Sequence, residues 1–515
     1  MANYDVIVIG AGVSGLTAAA LLARAGLGVC VLEEQPRPGG CLQGFRRGEF
    51  EFDTAVQWLN GMGPAGMSGR LLEHLGGDSP PCPPLKQFQR YKGQNHDYLL
   101  TTEPELMRDA MVADFPAQAE GIHRIFADAE DLGRKMSKLH RLSLAFETMP
   151  PWTKMFRGMG MLFWYPGIRR HLRPGLEEGL ARYVNDPAFA RIFIAEEKLS
   201  TVLVPMAWAY QGDLYAPPRG GSLALVHWIM KQIRKDGSEI ILNERVEEVL
   251  LQGRRAVGVR CASGLVAKAP HVICASDVDQ LYNRLLPPEA TTQKFRSRLR
   301  DADLFYSSLS LYLGLDCDPR ELGLGQEQVL LTRDDVPRAE QMCTTPDRVA
   351  LSVLAPSLRD PSLAPAGMGT VTIHCPALLE DHESWGTGDA LERGERYKEI
   401  KQRQALVLLE RVDRELCPGL SSKVSMMETA TPVTFERYTR NRGGSLLGTK
   451  ASDRNIKARI AHYITPVKGL LLAGHWAEYS GGVPMALKAA ANTSLILLKQ
   501  INRKAFKELC SVMDA

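Results

Sequence analysis

The sequence has no apolar stretch long enough to span a bilayer, no C-x-x-C pair, and no His/Cys cluster with zinc-ligand spacing. An integral membrane span and a resident metal are therefore not expected. Ten cysteines are scattered over 515 residues, several of them (Cys30, Cys274) inside apolar runs, where a reduced cysteine is a small hydrophobe. A reducing compartment follows. The net charge is only +3, so no global field points to nucleic acid, and no recognition fold for it is present. Repeats, low-complexity tracts, a P-loop and a Ser-His-Asp order are missing too, and "LGLGQEQ" (322–328) lacks the third glycine and flanking strand of a second dinucleotide site. No secretory leader precedes the first strand, so the expected location is cytoplasmic, or on the cytoplasmic face of a membrane. No motif specifies an oligomeric state.

What is present begins almost at once. "YDVIVIGAGVSGLTAAALLARAGLGVCVLEE" (4–34) reads as buried strand, glycine turn, helix, second buried strand and acidic terminus. Gly10 allows the tight turn, Gly12 lets a pyrophosphate approach the backbone, and Gly15 lets the helix pack on the strand. Glu33 ends the second strand, where its carboxylate accepts hydrogen bonds from a ribose diol. Strand, turn, helix, strand and acid agree, and dinucleotide binding is the reading.

A second glycine pair, Gly39-Gly40 in "EQPRPGGCLQGF", follows six and seven residues after Glu33. It resembles the pair that supports the FAD pyrophosphate in flavoproteins of the amine oxidase and phytoene desaturase superfamily. "FEFDTAVQWLNGMG" (50–63) resembles the F-D-x-G segment with which they pass the flavin ring, with Ala55 in place of glycine. "ETATPVTFERYTRNRGGSLLG" (428–448) resembles the segment before the last strand of carotenoid isomerases, retinol saturases and related bacterial desaturases. Within this resemblance the backbone of Val246 covers the adenine. The Gly474-His475 pair stands where most relatives have Gly-Asp binding the ribityl chain. Cys41 is read as a small turn residue, not a covalent flavin anchor.

The implied fold class is α/β: a Rossmann-like FAD-binding domain, of the amine-oxidase-like flavoprotein type, with a discontinuous α+β substrate domain. FAD-binding parts fall at 1–75, 205–295 and 455–500, substrate-domain parts at 76–204 and 296–454, and a C-terminal helix or tail at 501–515. Residues 470–473 should form the last strand, beside the strand that begins at Asp5. The helix opened by Gly481-Gly482-Val483-Pro484 should aim its free N–H groups at the flavin's pyrimidine edge, with Gly482 and Val483 against the ring. Pro484 is tolerated there because first-turn N–H groups have no intrahelical partner.

Residues 134–173 carry nine Lys/Arg against one acid, Glu147, interleaved with Trp152, Met155, Phe156, Met159, Met161, Leu162, Phe163, Trp164 and Tyr165. That composition suits peripheral contact with a membrane, each cation near an anionic surface adding about 1 kcal/mol. The competing reading makes the apolar residues core and the cations its rim.

The chemistry is then the flavin's. The resemblance implies hydride exchange with flavin N5 at carbon–carbon bonds of a lipophilic polyene: a carotenoid, a retinoid-like molecule, or an unsaturated acyl or polyketide chain. The outcome is desaturation, saturation or cis–trans isomerisation. Candidates for polar assistance are His475, Glu478 and Tyr479. Two alternatives remain open: an amine- or porphyrinogen-oxidase-like enzyme, which predicts an aromatic cage or a lysine near the flavin, and a flavin-free escort protein on the same fold.

Overall fold

The computed structural model describes residues 2–140, 144–149, 152–155, 167, 170–341, 344–379, 384–388, 391–479 and 481–514. Its centre is a five-stranded parallel sheet made of β1 (Val6–Ile9), β2 (Val29–Leu32), β3 (Glu239–Ile241), β4 (His271–Cys274) and β5 (Leu470–Leu472), in the order β5-β4-β1-β2-β3. The interior strands are continuous apolar runs because helices cover both faces.

The last strand does not lie beside β1 as expected. β4 occupies that place, with His271 opposite Val6, and β5 pairs with β4 through Val272 and Leu470. Small residues make the slot fit: the Ala275 N–H donates to the Ile9 carbonyl at 2.9 Å, and the Ala275 methyl lies 3.1 Å from where a Gly15 Cβ would stand.

Seven helices frame the sheet and the cavity: α1 (Val13–Arg24), α2 (Met67–Leu75), α3 (Ala119–His140), α4 (Leu199–Gln211), α5 (Ser222–Lys235), α6 (Val483–Ile501) and α7 (Arg503–Asp514). α1 is buried from Val13 to Ala23, and its run of alanines lets α5 and α6 pack closely on either side. α7 lies on α2, where the Arg70 guanidinium donates to the Val512 and Met513 carbonyls.

A seven-stranded sheet stands apart, in the order 424–430, 307–315, 369–377, 351–354, 328–331, 87–92 and 97–101. "SSLSLYLGL" (307–315) alternates strictly, yet both of its faces are buried. Leu309, Leu311 and Leu313 join the core beneath the helix Glu395–Glu415, whereas Ser308, Ser310 and Tyr312 face the other way. On that second face the Tyr312 hydroxyl donates to the Thr54 carbonyl at 2.7 Å, and the Gln57 amide donates to the Ser352 hydroxyl at 3.2 Å. The sheet thereby holds residues 54–57 in place at the edge of the cavity. α3 and α4 pack on each other and on the 87–101 hairpin to close the far side.

Candidate cofactor and active site

A cavity of about 1120 Å³ runs from the C-terminal end of the parallel sheet to the α3–α4 pair. Its first end is the glycine turn between β1 and α1. Gly10 has φ +98°, a Cβ on Gly15 would sit 2.1 Å from the Gly10 carbonyl oxygen, and a Cβ on Gly12 would meet nothing within 4 Å. Gly12 is thus the bare point at which the backbone faces open cavity, at the N-cap of α1.

Gly39 donates its N–H to the Ala11 carbonyl at 2.8 Å, and Gly40 stands against the Gly12 Cα, so both glycine turns meet at one place. The Glu33 carboxylate accepts from the Ala11 N–H at 2.6 Å and from the Gln35 N–H at 2.9 Å. Burial raises its pKa, and these two N–H groups oppose the rise. Each oxygen keeps further lone-pair capacity for a ribose. Val246 opens the outer hairpin and lines the same end, beside Glu244, whose N–H donates to the Glu33 carbonyl at 2.7 Å.

The second end is built by the chain after β5. Gly474, His475, Glu478, Gly481, Gly482 and Val483 all line the cavity. The Gly474 N–H donates to the Ser14 hydroxyl at 2.9 Å, which ties this loop to the first turn of α1. Gly482, at φ +83°, is the N-cap of α6, with Pro484 in the first turn. The His475 ring packs where any Gly448 side chain would stand, and its backbone carbonyl accepts from Thr449 at 3.0 Å. Burial holds its pKa below the ordinary value, partly offset by Asp277, so the ring is neutral at pH 7.

Glu478 accepts a hydrogen bond from the Tyr463 hydroxyl and an ion pair from Lys488 Nζ at 3.2 Å. Burial first, and the Glu478 charge second, push the Tyr463 phenol well above its usual range. Tyr479, the third catalytic candidate, is not among the lining residues. Its hydroxyl donates to the Asn455 carbonyl at 3.0 Å and accepts from the Ala461 N–H at 3.3 Å, and its ring packs on the core beneath β4 and β5. A large ring whose polar tip already has backbone partners gains more from the core than from a cavity.

Three features were not singled out from the sequence. Lys488 is one turn into α6 on the cavity face. Asp53, in the F-D segment, accepts from the Ser222 N–H at 2.7 Å and from its hydroxyl, which fixes the start of α5. The third is the far wall, where Trp58 and Trp208 lie 5.1 Å apart beside Met136 and Tyr215. The "FD" pair was a visible signal; Lys488 and the Trp pairing, between residues 150 positions apart, had none. Ala55 lines the cavity as the flavin-passing segment requires, with a methyl where glycine was expected.

The sequence profile of the family described as flavin containing amine oxidoreductase matches residues 13–496. The all-trans-retinol 13,14-reductase of Danio rerio is 24% identical, over 98% of this chain and 88% of its own length. The chloroplastic prolycopene isomerase of Daucus carota is also 24% identical, over 86% and 71%. The lycopene-forming phytoene desaturase of Pseudescherichia vulneris is 23% identical, over 96% and 99%. Among solved structures, a putrescine oxidase redesigned in its cofactor binding superposes with a TM-score of 0.62 at 16% identity, covering 97% of this chain and 99% of that one. The bare Gly12, the doubled glycine turn and the acid at Glu33 fit an FAD dinucleotide. The chain belongs to the flavin-containing amine oxidoreductase family and is an FAD-dependent oxidoreductase.

Proposed function

We propose that this oxidoreductase acts on carbon–carbon bonds of a lipophilic polyene. The observation that carries the reading is the cavity: beyond the flavin end it continues between Trp58, Met136, Trp208 and Tyr215, an aromatic and apolar passage suited to an extended hydrocarbon. The retinoid- and carotenoid-processing names of the relatives support it. The flavin, when bound, supplies hydride exchange. The chain's own residues bind and orient. The first glycine turn, Gly39-Gly40, Glu33 and Val246 hold the dinucleotide. Gly474, His475, Gly482 and Val483 seat the ring, and the passage excludes water and keeps one bond in register, which is proximity catalysis. In this reading the parallel sheet, with 1–75, 205–295 and 455–500, is the flavin domain, and 76–204 with 296–454 the substrate domain.

Peripheral membrane contact through 134–173 belongs to the same reading, on the cytoplasmic side. Phe146, Trp152 and Met155 are 59%, 65% and 56% exposed, with Lys154 Nζ 5.3 Å from the Phe146 ring centre. Met136 and Ser137, one turn before the end of α3, line the cavity, so the stretch begins at its wall. Arg134 and Lys135 are paired with Glu130 and Asp131 and contribute little net charge. Arg141, Arg157, Arg169 and residues 156–165 lie outside the described residues. Among the described residues no helix is long and apolar enough to cross a membrane.

The amine-oxidase reading keeps one observation in its favour, a lysine and a tryptophan pair on the cavity, although Lys488 is paired with Glu478. Anaerobic incubation of the yellow protein, and of the same protein reduced with dithionite, with all-trans-retinol and with lipid extract, analysed by mass spectrometry, separates the cases. A product two hydrogens lighter, unchanged in mass but isomerised, or two heavier marks desaturase, isomerase or saturase. Peroxide release from an amine, with no lipid altered, overturns the polyene reading.

A further inference from the structure

The Tyr463–Glu478–Lys488 cluster is a charged, hydrogen-bonded group on the wall of a cavity that Glu33, Glu34, Asp213, Glu244, Arg245 and Arg440 also line. Glu478 and Lys488 both line it, with side chains 18% and 24% exposed, and Tyr463 is buried behind them. A half-buried ion pair of this kind contributes little to stability beyond what apolar side chains of the same volume would. The pair is therefore not explained by stability. One Glu478 oxygen, Oε1, both accepts from the Tyr463 hydroxyl and pairs with Lys488 Nζ, which holds the ammonium against the cavity wall. Asn492 and Glu147 are the other polar groups acting on Tyr463. His475, neutral, lines the same end.

We propose that Lys488 is the proton donor of the reaction, with Glu478 and Tyr463 as its positioning residues, and that the enzyme saturates its polyene rather than isomerising it. The proposal rests on the polyene reading above. Isomerisation by removal and return of one hydride moves no proton and needs no acid. Saturation needs one. One alkene carbon receives hydride from the reduced flavin, and its π pair moves to the neighbouring carbon. That carbon forms a C–H bond with a proton from Lys488 Nζ as the N–H bond breaks. The alkene is reduced and the flavin oxidised; the neutral amine is recharged by water at its exposed side, and a low-potential electron donor, dithionite in the assay, restores the reduced flavin.

The test uses flavin-loaded enzyme, dithionite and all-trans-retinol in D2O. The product should be four mass units heavier, with deuterium on two neighbouring carbons, because dithionite supplies electrons only and both the hydride and the proton then come from solvent. Lys488→Met should lower kcat by about 10²–10⁴-fold, the range for loss of a general acid, with KM little changed. Lys488→Arg, whose guanidinium keeps its proton, should be as slow as Lys488→Met, and Tyr463→Phe should shift the pH profile. A readout free of turnover accompanies these: Lys488→Met should move the flavin midpoint potential to more negative values, because a cation near the ring favours the reduced anion, while Lys488→Arg leaves it in place. A converted polyene of unchanged mass, saturation by Lys488→Met at the wild-type rate, or an unaltered potential in Lys488→Met overturns the assignment alone. Failure of wild-type enzyme to convert any polyene removes the reading on which it rests and overturns both.

Discussion

The three glycines of the first turn do separate jobs, and the structure shows which failure each prevents. At Gly15 an added methyl collides with the Gly10 carbonyl at 2.1 Å, so Gly15→Ala must push α1 off β1. Overpacking of this kind costs about 1–3 kcal/mol. At Gly12 a side chain has open space, so Gly12→Val should melt within about 1 kcal/mol of wild type without cofactor, as expected where no packing feature is disturbed. It should nevertheless purify colourless, because the valine occupies the approach to the pyrophosphate. Apoprotein melting and the flavin-to-protein absorbance ratio check both; a yellow Gly12→Val protein would sink the placement. These glycines were legible because each is required by backbone geometry within a dozen residues. Tyr479 was not, since neighbours in a loop point to opposite sides and only the Asn455 carbonyl and Ala461 N–H decide which side a hydroxyl takes.

Among elements, the periodic ones were readable and their neighbours were not. α5 falls where the helical spacing of Leu223, Val226, Ile229 and Ile233 predicts it, and 246–252 pairs with 255–261 as the expected hairpin. β5 was recognised as a strand but assigned the wrong partner, because an apolar run fits any interior slot of a parallel sheet, and occupancy by β4 settles the matter. The segment after α3 is the element whose exposure demands a partner. Replacing Phe146, Trp152 and Met155 together by serine should weaken co-sedimentation with anionic vesicles by about tenfold or more, since about 1.4 kcal/mol suffices for each factor of ten and a buried large apolar side chain is worth about 1.5–3 kcal/mol. Flavin content should stay unchanged because none of the three lines the cavity. Equal sedimentation of variant and wild type would make these residues a surface feature only.

At the scale of the molecule, the fold buries histidines that the unfolded chain would protonate. His374, on the polar face of the seven-stranded sheet and bonded to Ser310 at 2.8 Å, is held down to about 4 by burial. His462 and His475 are lowered by the same cause. Below the ordinary value near 6.5 the unfolded chain binds protons that the native state refuses. Their contribution is therefore present above about pH 6.5 and lost as pH falls toward 4, amounting to about 3 kcal/mol for His374 alone. Buried Glu196, raised to about 7 by burial, works in the opposite sense: the native state holds its proton more tightly, and that stabilisation fades as pH rises from about 4.5 to 7. Comparing urea unfolding at pH 7 and pH 5 in wild type and His374→Gln isolates the first effect. The loss on acidification should be smaller in the variant, and equal losses would show that His374 does not titrate with unfolding.

By itself, the sequence determined the cofactor turn, the alternation of strand and helix, the acid at Glu33 and the glycine start of α6, because each depends on backbone conformation and periodicity over short spans of chain. Tertiary structure alone decided which side chains share the cavity. Thr54 meets Tyr312 and Gln57 meets Ser352 across more than 250 positions, Trp58 meets Trp208, and Lys488 turns to the carboxylate of Glu478 rather than to solvent. Such pairings follow from how buried faces are shared among distant elements, a packing outcome that no local pattern specifies.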